Sequence, residues 1–331
     1  MGEIPLQELN KISFASFVFY LRATTELCLP PYKGSTLRGA FGIVFKDTVC
    51  IMDHRDCDRC ILKFKCAYPY IFDTPVPDAS SRMRNYTRAP HPFVIEPPQD
   101  TKTTYEPGSS LGFGLTLIGK AIDYLPYFIY AFERLGKERG IGRGRGSFDV
   151  ERVTWVDAKG TERLIYSGEK KVLTNCFHPL TIQDFSLPQS TELVTLNYLT
   201  PTRITYEGQL HTAPQFHVIV RNLLRRLSNL AYFHCGGELA LDFRGIIEKS
   251  KEIETRDENV HWHDWERYSA RQDTRMKMGG FVGKVDYQGN LAEFVPLLKL
   301  GEKVHVGKGT GFGLGRYEIM DRGCGQGRVH G

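Results

Sequence analysis

A glycine-rich segment, HVGKGTGFGLGRYEI at residues His305–Ile319, is the most informative part of the chain for its fold. Glycine recurs through it, and it closes into a short aromatic strand, Arg316–Ile319. An apolar segment of helical length, LAEFVPLLKLG at residues 291–301, comes before it. Dinucleotide-binding loops follow the first strand and precede a helix, whereas this loop follows a helix and precedes a strand. It therefore predicts either a backbone that approaches phosphates closely or a flexible connection between packed elements.

A second glycine-rich stretch lies in the amino-terminal half. It reads LGKERGIGRGRGSFDVE at residues 135–151, follows the apolar segment YLPYFIYAFERLG and closes into a strand at Phe148–Val150. Taken from Leu300, as LGEKVHVGKGTGFGLGRYEI, the carboxy-terminal stretch opens like this one with Leu-Gly and two opposite charges. Their offset is roughly half the chain, which is typical of an internal duplication.

The two copies carry the same order of predicted elements. In the first, Leu37, Phe41 and Val44 recur at the spacing of one helical face. In the second, Pro214 opens a helix that Gly236 ends. The remaining predicted elements are strands Ser13–Leu21, Leu111–Ile118, Leu193–Leu199, Trp262–Ser269 and Phe281–Tyr287, and helices Tyr124–Leu135 and Leu291–Leu300.

The second copy reads strand–helix–strand–strand–helix–strand, which is the ferredoxin-like order, and we expect the first copy to follow the same plan. The sequence predicts an α+β fold of tandem ferredoxin-like (RRM-like) domains at residues 1–170 and 190–331, with a Cys-rich metal-binding insertion in the first. That fold hosts many functions, so the order of elements does not decide the activity.

The composition bounds the class of protein. The chain has 331 residues, of which 41% are hydrophobic, and a net charge of +5, so it is globular and mildly basic. The first residues, MGEIPLQELNK, contain no apolar signal-peptide segment. No apolar run approaches the ~18 residues of a membrane span. We expect a cytoplasmic protein without a membrane partner, and the small charge excess alone is weak support for a polyanionic ligand.

Half of the eight cysteines fall in one short insertion, residues 50–66. Cys50, Cys57, Cys60 and Cys66 follow a C-x6-C-x2-C-x5-C spacing. In a chain without a secretion signal, this spacing favours a metal site. Four thiolates can close a tetrahedron around a structural zinc. An iron–sulfur cluster and free packing cysteines are the alternatives.

These motifs resemble those of CRISPR-associated precursor-crRNA endoribonucleases of the RAMP superfamily. HVGKGTGFGLGRYEI after the last helix resembles their carboxy-terminal glycine-rich loop. WHDWERYSARQ followed by MGGFVGKVDY, residues 262–272 and 278–287, resembles the hairpin that precedes this loop in one branch of the family. LRGAFG, residues 37–42, resembles the first helix of their amino-terminal domain. The resemblance extends over nearly the whole chain.

The resemblance implies metal-independent cleavage within the CRISPR repeat. The products would carry a 2′,3′-cyclic phosphate and a 5′-hydroxyl, because RNA supplies its own nucleophile in the 2′-hydroxyl. The protein must align that hydroxyl, move protons and stabilise the phosphate charge. The implied partners are repeat RNA or crRNA and other CRISPR effector subunits, and catalysis needs no cofactor.

Catalytic residues of this family usually lie on the first strand–helix segment and are commonly His with Tyr or Lys. Here that segment has no histidine before His54. The catalytic candidates are therefore Tyr32 and Lys46 within it, and His211 and His305 from elsewhere. Either histidine can equally be an ordinary hydrogen-bonding residue.

Basic side chains near the glycine-rich loops, the first helix and the carboxy-terminal hairpin are the RNA-binding candidates. They are Lys33, Arg38, Arg143, Arg145, Arg267, Arg271, Lys308 and Arg316. A RAMP subunit that binds guide RNA without cutting would use the same residues, and the missing histidine favours it. A zinc-dependent nucleic-acid enzyme of another family would need an open metal site, for which no His/Asp/Glu set has suitable spacing.

Overall fold

The computed structural model describes residues 4–76, 88–187, 191–212, 215–269 and 274–320. The chain forms two halves, each built on an antiparallel sheet with helices packed against it. None of the helices in the described ranges is long and apolar enough to cross a bilayer.

The amino-terminal half contains a six-stranded sheet in the order β3-β5-β1-β6-β7-β8 and a small β2-β4 pair. Its strands are β1 Phe14–Ala23, β2 Leu27–Cys28, β3 Phe93–Glu96, β4 Thr104–Tyr105, β5 Ser110–Ile118, β6 Phe148–Val156, β7 Glu162–Ser167 and β8 Val172–Leu173. Its helices are α1 Leu6–Leu9, α2 Gly34–Val49 and α3 Leu125–Arg134. The sequence β1-α2-β3-β5-α3-β6 is ferredoxin-like, and β7 and β8 extend its sheet.

The carboxy-terminal half repeats the plan with a four-stranded sheet in the order β12-β15-β9-β16. Its strands are β9 Leu193–Thr202, β10 Ile204–Tyr206, β11 Gln209–His211, β12 Glu254–His263, β13 Glu266–Ser269, β14 Thr274–Lys277, β15 Gly280–Gln288 and β16 Tyr317–Met320. Its helices are α4 Phe216–His234, α5 Phe243–Ser250 and α6 Val295–Val304. The predicted α+β fold of tandem ferredoxin-like domains is confirmed.

The apolar face predicted for α2 forms the centre of the first core. Leu37, Phe41 and Val44 are all buried. The ring of Phe41 stacks on Phe128 of α3 with their centroids 4.5 Å apart. A Cβ on Gly42 would lie 2.3 Å from the ring of Phe72, so this glycine allows an aromatic side chain to approach the helix. These contacts pack α2 against α3 and against the segment that contains Phe72.

Two predicted elements are placed differently in the structure. The strand expected at Trp262–Ser269 is β12, Glu254–His263, followed by the short β13. Most of β12 is exposed on both faces, so its sequence has no apolar alternation to mark it. The helix expected from Leu291 starts at Val295, with Pro296 in its first turn, a position that suits proline's fixed φ and missing N–H.

Candidate active site

A cleft of about 1460 Å³ opens between α2 and the two glycine-rich loops. One wall is the polar face of α2, including Arg38 and Lys46, and another is the first glycine-rich loop with Arg143 and Arg145. Phe312, at the tip of the second glycine-rich loop, reaches the cleft from the carboxy-terminal half. The cleft therefore gathers cations from separate parts of the chain at the junction of the two halves.

Arg38 lies between aromatic rings at the floor of this cleft. Its guanidinium carbon is 4.3 Å from the ring centroid of Phe72 and 4.4 Å from that of Phe312. Cation–π attraction fixes the guanidinium plane between these faces. One terminal nitrogen, Nη2, lies 3.0 Å from Nε2 of His91.

His91, just before β3, completes this group and also lines the cleft. Its Nδ1 lies 3.3 Å from Oγ1 of Thr74. Burial, and after it the positive charge of Arg38, hold the pKa of His91 well below the ordinary value for histidine. His91 is therefore neutral at physiological pH. It was not among the sequence candidates, because it follows the first helix by many residues and has no motif around it.

The first glycine-rich loop holds its arginines out into the cleft. Arg143 and Arg145 are exposed, and the backbone N–H of Arg143 donates to the carbonyl of Cys28 at 2.8 Å. Gly142 has φ +73°, and a Cβ there would lie 2.2 Å from the same carbonyl oxygen. Only glycine fits this position. Next to it, Gly144 has no neighbour within 4 Å of its Cβ position, so the tip of the loop is open.

The second glycine-rich loop is instead packed against the amino-terminal half. The hydroxyl of Tyr32 donates to the carbonyl oxygen of Phe312 at 2.7 Å. Gly313 has φ +86°, and a Cβ there would lie 2.6 Å from the carbonyl oxygen of Ile95 and 2.5 Å from Pro97. Gly313 therefore allows the two halves to dock, and its backbone lies against β3 and Pro97.

A carboxylate fastens the ends of this second loop. Glu96, at the end of β3, lies 3.7 Å from Nε2 of His305 and 3.3 Å from Nη1 of Arg316. Burial opposes ionisation of Glu96, but these two partners outweigh it and lower its pKa to about 2. His305 is fully buried, and its Nδ1 lies 3.1 Å from the carbonyl oxygen of Leu314. The group joins β3 of one half to the loop of the other.

Comparison with known families agrees with this architecture. Residues 196–317 match the family model described as CRISPR-associated endoribonuclease Cas6. Residues 11–177, half of the chain, match the AF_1859_N family, described as an N-terminal domain.

The chain belongs to the AF_1859_N family and is a Cas6-type protein.

Relatives of known structure share its fold. A Cas6 product complex is 15% identical with a TM-score of 0.57, covering 93% of this chain and 100% of that one. Cas6 from Thermus thermophilus is 15% identical with a TM-score of 0.52, covering 93% and 99%. A Cas6-RT-Cas1–Cas2 complex is 12% identical with a TM-score of 0.56, covering 97% of this chain and 30% of the other.

A full-length relative by sequence is an uncharacterized protein of Archaeoglobus fulgidus. It is 23% identical over 295 residues, which cover 88% of this chain and 92% of the relative. Both halves of this Cas6-type chain therefore occur together in another protein.

The structure places the four predicted catalytic residues in three environments. Lys46 lines the cleft, and its ammonium donates to the backbone carbonyl of Arg55 at 2.7 Å. Tyr32 and His305 are both engaged in docking the second loop. Burial raises the pKa of Tyr32 far above the ordinary value, with Glu96 adding to the rise and Arg316 opposing it. His211 lies on the β10–β11 hairpin, outside the residues that line the cleft.

The residues predicted to contact RNA in this Cas6-type chain also lie in different environments. Arg38, Arg143 and Arg145 line the cleft. Lys308 is exposed on the second loop, whereas Arg316 pairs with Glu96. Arg267 is placed on β13, opposite Met276. Arg271 lies outside the described residues.

Lys33 does not present its charge to the solvent. It is fully buried, and its ammonium donates to the carbonyl oxygens of Pro31 and Asp100 at 3.2 and 3.0 Å. A third bond, at 3.2 Å, goes to the Asp100 carboxylate. The sequence pattern cannot distinguish a buried lysine from one that contacts phosphate, because a lysine in the turn before α2 could take either role.

The cysteine insertion folds around one small space. Cys50, Cys57, Cys60 and Cys66 all line a cavity of about 20 Å³, which His54 also borders. The backbone N–H of Leu62 donates to Sγ of Cys60 at 3.4 Å. Within the part of the chain that the structure describes, no three His, Cys, Asp or Glu side chains are arranged to hold a metal ion. The metal site stays a prediction.

Proposed function

We propose that this protein binds CRISPR repeat RNA in the cleft between α2 and the two glycine-rich loops and cleaves it there. The observation that carries this proposal is the cleft itself, which brings Arg38, Lys46, Arg143 and Arg145 to one concave surface beside a neutral histidine. RNA phosphates are the ligands that such a set of cations binds. Single-stranded RNA exposes unstacked bases that aromatic and arginine side chains can bind, and the cleft also presents Phe72 and Phe312.

The chemistry proposed is attack by the RNA's own 2′-hydroxyl on the adjacent phosphorus. The bond from O2′ to phosphorus forms while the bond from phosphorus to O5′ breaks, and the products are a 2′,3′-cyclic phosphate and a 5′-hydroxyl. Because the nucleophile is part of the substrate, the protein has to hold it in line and stabilise the added charge on the phosphate. The guanidinium of Arg38, fixed between two aromatic rings, suits the second task.

Interactions with other CRISPR proteins are a further part of the proposal. One structural relative occurs in a Cas6-RT-Cas1–Cas2 complex. We extend to this chain only the general expectation that it delivers its RNA product to other CRISPR subunits.

The direct experiment is incubation of the purified full chain with repeat RNA from its own CRISPR array in the presence of EDTA. Cleavage at one position in the repeat supports the proposal. Tight binding without cleavage contradicts it, and would favour a subunit that binds guide RNA without cutting.

We also propose that the four cysteines of the insertion hold a structural zinc. The support is that all four side chains border one cavity and that a backbone N–H already donates to Cys60. Donors of this kind stabilise the thiolates that zinc requires. Bound zinc would act as a cross-link for the insertion, which supplies Arg55 to the rim of the cleft. An iron–sulfur cluster, the alternative, would be distinguished by its iron content and visible absorption.

A further inference from the structure

We propose that His91 is the catalytic histidine of this protein and accepts the proton of the attacking 2′-hydroxyl. This inference rests on the proposed function and assigns its general base. The family resemblance places catalytic residues on the first strand–helix segment, and His91 lies outside that segment.

The first support is position. His91 is the one histidine among the described residues that line the cleft. It stands beside Arg38, and a Cβ on Gly311 of the second loop would lie 3.5 Å from its ring and 3.3 Å from the Arg38 guanidinium. A phosphate bound by Arg38 is therefore also next to the imidazole. The remaining candidates are turned elsewhere, since His305 is fully buried and His211 is on a separate hairpin.

The second support is the tautomer that the contacts require. A guanidinium can only donate hydrogen bonds, so the 3.0 Å contact from Arg38 makes Nε2 of His91 the acceptor. The proton of the neutral ring then resides on Nδ1, which donates to Oγ1 of Thr74 at 3.3 Å. The lone pair of Nε2 therefore faces Arg38, the group that would hold the phosphate. This is the arrangement that a general base needs.

The third support is the charge around the ring. Burial lowers the pKa of His91 below the ordinary value for histidine, and the charges of Arg38, Arg226, His234 and Arg88 lower this pKa further. His91 is thus kept in its basic form while the cleft is empty. A phosphate that binds Arg38 brings negative charge, which offsets the cation and allows His91 to take up a proton. Proton uptake is thereby coupled to substrate binding.

The reaction step balances without a further co-reactant besides water. A phosphate oxygen accepts from the Arg38 guanidinium in place of Nε2 of His91. Nε2 then takes the proton of the 2′-hydroxyl as O2′ bonds to phosphorus and the bond from phosphorus to O5′ breaks. The leaving 5′-oxygen takes a proton from water in the open cleft. His91 then returns its proton to solvent.

The test is single-turnover cleavage of repeat RNA in EDTA by His91→Ala and His91→Gln. We expect both to lose ~10²–10⁴ in rate, the usual effect of removing a general base, with affinity for a 2′-deoxy repeat unchanged. His217→Ala is the matched control, because His217 is a half-buried histidine on α4 that does not line the cleft. Melting temperatures identify any variant that has lost its fold, and His91→Gln preserves a hydrogen-bonding side chain if alanine does not.

Two readouts separate catalysis from positioning. Added imidazole should restore part of the activity of His91→Ala, and the acid limb of the wild-type pH–rate profile should disappear. A slow variant that retains the wild-type acid limb contradicts the assignment, as does a variant that cuts at the wild-type rate. If wild type cuts while the variants cut equally fast, only the role of His91 fails. If wild type cuts no repeat RNA, the proposed function fails and the assignment fails with it.

Discussion

At the scale of single residues, Glu96 joins the two halves of the molecule. Its carboxylate lies at the end of a strand of the first half, 3.7 Å from Nε2 of His305 and 3.3 Å from Nη1 of Arg316 in the second half. Because its pKa is lowered to about 2 in the folded state, folding favours its ionised form. The stabilisation is therefore present above the pKa of the unfolded carboxyl, ~4.3, and is lost as pH falls toward that folded value.

We predict that Glu96→Gln lowers the free energy of unfolding by roughly 1–3 kcal/mol at neutral pH. The difference from wild type should shrink as pH falls through the acid range. Urea unfolding at successive pH values measures it, and Glu106→Gln, at an exposed glutamate, is the control. A deficit that stays constant down to acid pH would show that Glu96 acts by packing and not by charge.

The sequence could not identify His91 as a residue of the site. What gives His91 its surroundings is contact with Arg38, which is 53 positions away in the chain. No local pattern encodes this contact, since it depends on how α2 lies over β3. By contrast, Arg38, Arg143 and Arg145 could be predicted, because cations near a glycine-rich loop or on the polar face of a helix are readable locally.

At the scale of elements, the two glycine-rich loops have different structural roles. Their sequences predict one common role, yet the first loop has an open tip at Gly144 and the second is packed against β3 through Gly313. A glycine can be required by positive φ, by a close neighbour, or by both. The sequence shows only that glycine is present, so the distinction needed the fold.

We predict that Gly313→Ala destabilises the protein more than Gly144→Ala does. Both positions have positive φ, so both variants share a conformational strain of ~1 kcal/mol. Only at Gly313 would the added Cβ meet a backbone oxygen at 2.6 Å and a proline at 2.5 Å. The steric clash should raise the total to ~2–4 kcal/mol. Equal losses in chemical denaturation would mean that the second loop is not docked as described.

The first loop should contribute affinity through phosphate contacts. We predict that Arg143→Ala and Arg145→Ala weaken binding of many RNAs alike, because phosphates carry no sequence information. The slope of log affinity against log salt should fall by roughly one per lost contact. Arg163→Ala is the control, since Arg163 is exposed on β7 away from the cleft. If both variants keep the wild-type salt dependence, these arginines do not contact RNA phosphates.

For the cysteine insertion, the prediction concerns the metal content of the purified protein. Purified protein should contain about one zinc per chain, and Cys57→Ser with Cys60→Ser should release it and lower the melting temperature. Cys28→Ser with Cys235→Ser is the matched control, as neither cysteine borders the cavity of the insertion. Elemental analysis that finds neither zinc nor iron in the wild type would refute a metal site.

At the scale of the whole molecule, the tandem fold was readable because its core elements follow strict periodicities. Strand β1 and helices α2 and α4 have apolar spacings that place their buried faces. Strand β12 is largely exposed and gave no such signal. The cleft was not predictable either. It forms where the second loop docks on the first half, and sequence patterns indicate the structure of one segment but not its contacts with a distant one.

In the proposed reaction, this molecule uses the 2′-hydroxyl of bound repeat RNA as the nucleophile. The most direct measurement is cleavage in EDTA of two repeat RNAs that differ by a single 2′-deoxy substitution at the cleavage site, with analysis of the product ends. The all-ribose RNA should give a 2′,3′-cyclic phosphate and a 5′-hydroxyl, while the deoxy RNA should bind equally well and stay intact. Cleavage of the deoxy RNA, or products with a 5′-phosphate, would contradict attack by the 2′-hydroxyl.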